Sequence, residues 1–196
     1  MTISRMTTMA AMMGWTVAAL AQSGQPQQKL TVYVENRAQA TNVVLFRAEA
    51  LATRMFAEIG IGLVWRKGKP AGSSSEPVIV MELVANAPEE SSKPNVLAHS
   101  LVFEGVHTTL FYDRIEAEHQ PGAVEVLAHV MVHEITHLLQ GIDRHSDHGV
   151  MKALWTTGDF SEMAHRPLAF TALDVELIEL GLKSRAAQKA AVVPSR

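Results

Sequence analysis

Two histidines lie four positions apart on either side of a glutamate in the segment His133-Glu134-Ile135-Thr136-His137. In an α-helix, side chains four apart project from one face about 6 Å from each other, so His133 and His137 can hold one metal ion. Glu134 lies about 100° around such a helix from His133, which puts its carboxylate beside the metal rather than on it. This arrangement suits a zinc-activated water whose proton is taken by a carboxylate.

A further histidine, His129, precedes His133 by four residues. Three successive residues at this spacing drift by about 40° per step around the helix, so they do not converge well on one ion. We therefore expect His129 to be partly solvated, or to support the site, rather than to bind the metal.

A catalytic zinc needs three protein ligands, so one more must come from outside the helix. Gly141 is expected to end the helix and let the chain turn back, and the segment after it offers Asp143, His145 and His148. Imidazole is the more common partner of zinc, which favours His145 or His148 over Asp143. The chain has no cysteine, so thiolate ligands, thiol nucleophiles and disulfides are excluded.

The motif and its downstream neighbours resemble those of the metzincin metallopeptidases, in which a third histidine and a turn with a methionine follow the active-site helix. The match consists of His133, Glu134 and His137, then Gly141, His145 and Met151. Here the glycine and the third histidine come four and eight residues after His137, instead of three and six. Because the glycine and the histidine are shifted together, the difference indicates a loop variant. Asp143 lies six residues after His137, where the family has its third ligand, and therefore stays the rival of His145.

The resemblance implies a zinc ion held by His133, His137 and His145, with Glu134 as the general base of peptide-bond hydrolysis. The carboxylate would activate a zinc-bound water and then pass the proton to the leaving amine. The substrate would be a peptide or protein lying extended along an edge strand at 97–103. Beyond Met151, Trp155 and Phe160 would line a side-chain pocket or belong to the core.

Two other functions are compatible with the motif. In a thermolysin-like site a glutamate from a later helix completes the metal, and Glu162, Glu176 and Glu179 are the candidates. The second alternative is a binding module that keeps scaffold and metal without peptidase activity, because little chain follows Met151 to build a specificity pocket. The presence of Glu134 argues against that alternative, since a purely structural metal site needs no general base.

Apolar periodicity predicts the elements that position the motif. Strands are expected at 29–35, 63–67, 78–84, 97–103 and 108–113, and helices at 42–59, 121–140 and from 171 to about 188, with a loop over 142–159. Gly60 is expected to end the first helix. The order predicts an α+β fold, one mixed sheet with helices packed on it, and the resemblance implies a zincin or metzincin-like catalytic domain in which the 97–103 strand runs antiparallel.

The 196 residues suffice for one domain with a packed core, and a net charge of −3 gives no reason to expect nucleic acid as a partner. The N-terminus is typical of a secretory signal, because Arg5 precedes an uncharged apolar stretch that ends in Ala19-Leu20-Ala21. That stretch is too short for a comfortable membrane span, although an uncleaved anchor is the alternative. We expect a signal peptide at 1–21, a linker at 22–28 and a single domain at 29–196, exported to the periplasm or secreted, with no stable membrane span after cleavage.

Overall fold

The computed structural model describes residues 28–71, 78–88, 96–118 and 122–192. The predicted signal peptide at 1–21 lies outside the described residues, as does the linker up to residue 27. Within the described ranges, no helix is long and apolar enough to cross a bilayer.

The described part of the chain forms one five-stranded sheet with helices packed on it. Its elements are β1 (Gln28–Asn36), α1 (Asn42–Glu58), β2 (Ile61–Lys67), β3 (Val78–Val84), β4 (Ala98–Ser100), β5 (His107–Phe111), α2 (Tyr112–Glu118), α3 (Ala123–Gln140), α4 (Thr157–Met163) and α5 (Ala172–Val192). The strand order is β2-β1-β3-β5-β4, in which β4 alone pairs antiparallel. The predicted mixed fold and the antiparallel edge strand are therefore confirmed.

Local capping signals determine where α1 begins and ends. Thr41 caps its start by accepting the N–H of Val44 at 3.3 Å. At its end Gly60 adopts a φ of +78°, a left-handed conformation that suits glycine, and donates its N–H to Ala57 at 3.0 Å. Between these ends the buried face of α1 packs against β2 and α3. The prediction that Gly60 ends this helix is confirmed.

The strand predicted at 97–103 is regular only over β4, so its length was predicted wrongly. Beyond Ser100 the chain turns, and the carbonyl of Leu101 accepts the N–H groups of Glu104 and Gly105 at 3.1 and 2.9 Å. Gly105, at the far end of this turn, has a φ of +77°, a left-handed conformation that glycine adopts readily. The turn therefore leaves only a short edge strand beside α3.

Two short helices replace segments predicted as strand and as loop. The strand predicted to reach residue 113 stops at Phe111, where α2 begins. The loop predicted over 142–159 already contains the start of α4. There Thr156 and Asp159 form a reciprocal capping box, in which each side chain binds the backbone of the other. This Thr-x-x-Asp spacing was the sequence signal that the loop prediction overlooked.

Helix α5 packs closely on the C-terminal end of α3. A Cβ atom on Gly181 would collide with the carbonyl oxygen of Leu139, so the two backbones approach to a distance that only glycine permits. One turn later, Arg185 donates Nη2 to the carbonyl of Gly105 at 2.9 Å and to that of Leu138. A cation at the C-terminal end of α3 also complements the helix dipole. Helix α5 thus joins α3 to the turn that follows β4.

Candidate metal centre

Helix α3 places the motif inside the molecule, because it is buried from Val126 to Gln140. It ends at Gly141, which has a φ of +68° and donates its N–H to the carbonyl of His137 at 2.9 Å. This left-handed cap reverses the chain as predicted. The following segment returns to the face of α3 that carries His133 and His137.

The reversal brings His145 against the two helix histidines. Nε2 of His137 lies 3.0 Å from Nε2 of His133 and 3.2 Å from Nε2 of His145. Nitrogen ligands about 2.05 Å from a tetrahedral zinc would lie about 3.3 Å apart, so these separations fit such an ion. Among the residues that the structure describes, these three form the one group of metal-ligating side chains that meets at a point.

Backbone carbonyls determine which ring nitrogen of the helix histidines carries the proton. Nδ1 of His133 donates to the carbonyl of Val150 at 2.8 Å, and Nδ1 of His137 donates to that of Ile142 at 3.3 Å. The Nε2 lone pairs then face the common point, as metal ligands do. Burial lowers the pKa of both histidines to about 4, so the rings are neutral near pH 7, which metal binding requires.

Glu134 is buried beside this cluster and is held by the edge strand. Its Oε2 accepts a hydrogen bond from Oγ of Ser100, in β4, at 2.5 Å. Burial raises the pKa of Glu134, and the hydrogen bond from Ser100 opposes that shift. Ser100 was not predicted as a site residue. Side chains alternate between the two faces of a strand, so Ser100, a polar residue in the expected cleft strand, could have been recognised as a candidate partner of the motif helix.

A tight turn containing Met151 follows the third histidine, as the resemblance implied. Gly149 has a φ of +77°, and Lys152 donates its N–H to the Gly149 carbonyl at 3.3 Å. A Cβ atom on Gly149 would collide with the carbonyl oxygen of Ala169, so this position needs glycine for two reasons. Met151 is fully buried, and its carbonyl accepts the N–H of Ser146 at 2.7 Å. The turn is therefore linked to the segment that carries His145.

His129 is buried, so of its two predicted roles the partly solvated one was wrong. Its Nδ1 donates to the carbonyl of Glu125 at 2.6 Å, and its Nε2 accepts the N–H of Leu168 at 3.0 Å. The segment around Leu168 covers this side of α3, which a helical wheel does not reveal. Because both ring nitrogens bind backbone groups, His129 stays outside the metal-ligating group.

A cavity of about 780 Å³ opens over the histidine cluster. Residues 96–100 and Val102 form one side of it, and residues 152–155 with Phe160 form another. Trp155 stands edge-on to the ring of His133, with ring centroids 5.6 Å apart. Trp155 and Phe160 thus line the cavity and also pack against the core. Asp143 lines the same cavity but lies outside the metal-ligating group.

The glutamates of the thermolysin-like alternative lie elsewhere. Glu162 forms an ion pair with Nε of Arg166 at 3.0 Å, and Glu179 forms one with Nζ of Lys183 at 3.6 Å. Glu176 is exposed on α5. In the described part of the chain, none of these carboxylates joins His133 and His137. Completion of the site by a later glutamate therefore finds no support.

The mixed sheet with an antiparallel edge strand, and the buried helix beneath it, define a zincin-like fold. The chain is similar to the archaemetzincin (amzA) from Methanopyrus kandleri, whose crystal structure was determined at 1.5 Å resolution. The TM-score is 0.56 at 14% sequence identity, over 79% of this chain and 96% of the archaemetzincin. No protein-family model and no curated protein matches the chain in sequence. At this identity the likeness shows the fold, so the function must be argued from the site.

Proposed function

We propose that this protein is an exported zinc-dependent metallopeptidase of the metzincin type. His133, His137 and His145 would hold the metal, and Glu134 would act as general base. The observation that carries the proposal is the convergence of three imidazole Nε2 atoms, 3.0 and 3.2 Å apart, beside a buried carboxylate in an open cavity. The archaemetzincin-like fold supports the same class. Export rests on the sequence of residues 1–21.

When bound, zinc polarises a carbonyl group and lowers the pKa of a coordinated water toward 7. The chain itself supplies proton transfer. Ser100 holds Oε2 of Glu134, which leaves the other carboxylate oxygen to take a proton from the attacking water. Burial raises the pKa of Glu134, which makes it a stronger base and then a competent acid toward the leaving amine.

The edge strand suits a peptide substrate. The described sheet ends at β4, so the outer edge of this strand is available for main-chain hydrogen bonds with an extended chain. Trp155 and Phe160 give the cavity an apolar wall where a substrate side chain would pack. These features favour a peptide or protein substrate over a small polar one.

Replacement of Glu134 by glutamine tests the proposal. The zinc-loaded protein should hydrolyse a mixed peptide library, and Glu134→Gln should lower the rate by about 10²-fold or more while zinc stays bound. Glu125→Gln is a matched control, because Glu125 lies on the same helix outside the cavity lining. It should retain both zinc and activity.

The other outcomes discriminate between the alternatives. A wild-type protein that binds one zinc ion per chain and cleaves nothing would contradict the peptidase and favour a metal-containing binding module. A wild-type protein that binds no zinc would contradict both the peptidase and the metal-containing binding module. Equal activity in Glu134→Gln and wild type would contradict the role of Glu134 as general base.

A further inference from the structure

Asp174 lies at the start of α5 and is fully buried. Its Oδ2 accepts the N–H of Thr171 at 2.9 Å, and the hydroxyl of Thr171 accepts the N–H of Asp174 at 3.1 Å. These two hydrogen bonds form a reciprocal capping box. The box occupies one carboxylate oxygen of Asp174 and leaves Oδ1 for other partners.

Oδ1 of Asp174 binds the segment that carries His145. Ser146 donates its hydroxyl to this oxygen at 2.7 Å, and Arg144 donates Nη1 at 3.0 Å. Nη1 of Arg144 also donates to the hydroxyl of Ser146 at 3.2 Å. The residues immediately before and after His145 therefore converge on one buried oxygen, and hydrogen bonds to a charged acceptor are about twice as strong as neutral ones.

The backbone of Asp174 is linked to the other end of the same segment. Its carbonyl accepts Nε2 of Gln140 at 3.2 Å, and Gln140 is the last residue of α3 before Gly141. Asp174 thus contacts the chain both where the segment leaves α3 and where His145 lies. Between these points Gly141, Asp143 and His145 are exposed, so neighbouring packing does little to restrain them.

We infer that Asp174 is a positioning residue for the proposed metal centre, because it holds the 141–146 segment in the conformation that presents His145. The inference rests on the proposed function, since it takes His145 as the third ligand. A segment ordered in advance does not have to lose conformational entropy when the metal binds. Loss of a residue that orients a metal ligand typically lowers metal affinity by about 10–100-fold.

Helix α4 offers a comparison in the same molecule. Thr156 and Asp159 form the same kind of capping box, and Oδ2 of Asp159 also accepts hydrogen bonds from Oγ1 of Thr156 at 2.7 Å and from Nζ of Lys152 at 2.6 Å. Asp159 therefore has the capping role of Asp174 without a hydrogen bond to the segment of His145. Asp159→Asn is the matched control for Asp174→Asn.

The experiment measures the zinc affinity of the full chain by competition with a chromogenic chelator. Asp174→Asn should bind zinc about tenfold more weakly than wild type or worse, and Ser146→Ala should show a smaller loss in the same direction. Asp159→Asn should stay within about twofold of wild type. With Co²⁺ in place of zinc, the visible absorption of Asp174→Asn should change, because His145 is held less firmly, while that of Asp159→Asn should not.

The outcomes separate this inference from the proposed function. Absence of zinc binding by the wild-type protein would overturn the proposed metal centre itself. If wild type binds zinc, and Asp174→Asn and Ser146→Ala bind it with the same affinity as wild type, the positioning role alone is overturned. If Asp174→Asn does not fold, Ser146→Ala decides the matter, because it leaves the capping box of α5 intact.

Discussion

His133 donates its Nδ1 proton to the carbonyl oxygen of Val150, 2.8 Å away. Val150 lies in the turn between Gly149 and Met151, and its own N–H donates to the carbonyl of Ala169 at 3.0 Å. The turn is therefore held against a later segment while it orients the first histidine of the motif. A backbone acceptor of this kind fixes both the tautomer and the orientation of a metal-binding imidazole.

His145 is the proposed third ligand of the metal. His145→Ala should weaken zinc binding by at least about 10²-fold, above the loss typical of a residue that only supports a ligand. Asp143→Ala and His148→Ala should bind zinc nearly as wild type does, because neither side chain joins the converging group. Metal analysis and chelator competition on the three variants would measure this. Zinc loss in Asp143→Ala together with retention in His145→Ala would assign the third position to Asp143.

His129 should matter for stability and not for metal binding. His129→Leu leaves the buried N–H of Leu168 without its acceptor, which should cost about 1–3 kcal/mol in the free energy of unfolding. Urea denaturation would measure this change. His165→Leu is the control, because exposed His165 also donates Nδ1 to a carbonyl four residues earlier, in Ser161. It should change stability by less than about 0.5 kcal/mol.

The same histidine predicts a pH dependence of stability. Burial lowers the pKa of His129 below its ordinary value of 6.5, although Glu125 partly opposes the shift, so the fold favours the neutral ring. The resulting stability is fully present above about pH 6.5 and is lost as the pH falls below it toward the folded-state pKa. Wild type should therefore lose more stability than His129→Leu between pH 7.5 and 5. Parallel losses in the two proteins would contradict this, since His133 and His137, whose pKa values burial also lowers, are present in both.

Gly181 should be intolerant of a side chain. Gly181→Ala would drive a methyl group into the carbonyl oxygen of Leu139, so α5 must move away from α3, at a cost of about 1–3 kcal/mol. Gly158→Ala is the matched control in helix α4, where the nearest contact would be Thr156 Oγ1 at an ordinary 3.6 Å. That substitution should stabilise the protein by about 0.5–1 kcal/mol through helix propensity. Thermal unfolding of both variants would measure the difference, and equal effects would rule out the close contact.

The features that could be predicted from the sequence alone are those that depend on local geometry. The helical period fixes how His133, Glu134 and His137 project from α3, whatever packs around them. Likewise, the apolar patterns and glycine signals predicted α1, β3 and the end of α3 at Gly141. Each of these features depends only on residues that are close in sequence, so a short stretch of sequence is enough to predict it.

The downstream side chain that meets the two helix histidines could be identified only from the packing of separate elements. Asp143, His145 and His148 all follow His137 closely enough in sequence to reach the metal site. The path of the segment depends on Asp174, which forms hydrogen bonds to Ser146 and Arg144, 28 and 30 residues away in sequence. Likewise, Ser100 reaches Glu134 across 34 residues, and the segment at Leu168 covers His129 across 39. Such contacts form when separate elements pack together, and no local period or propensity specifies them.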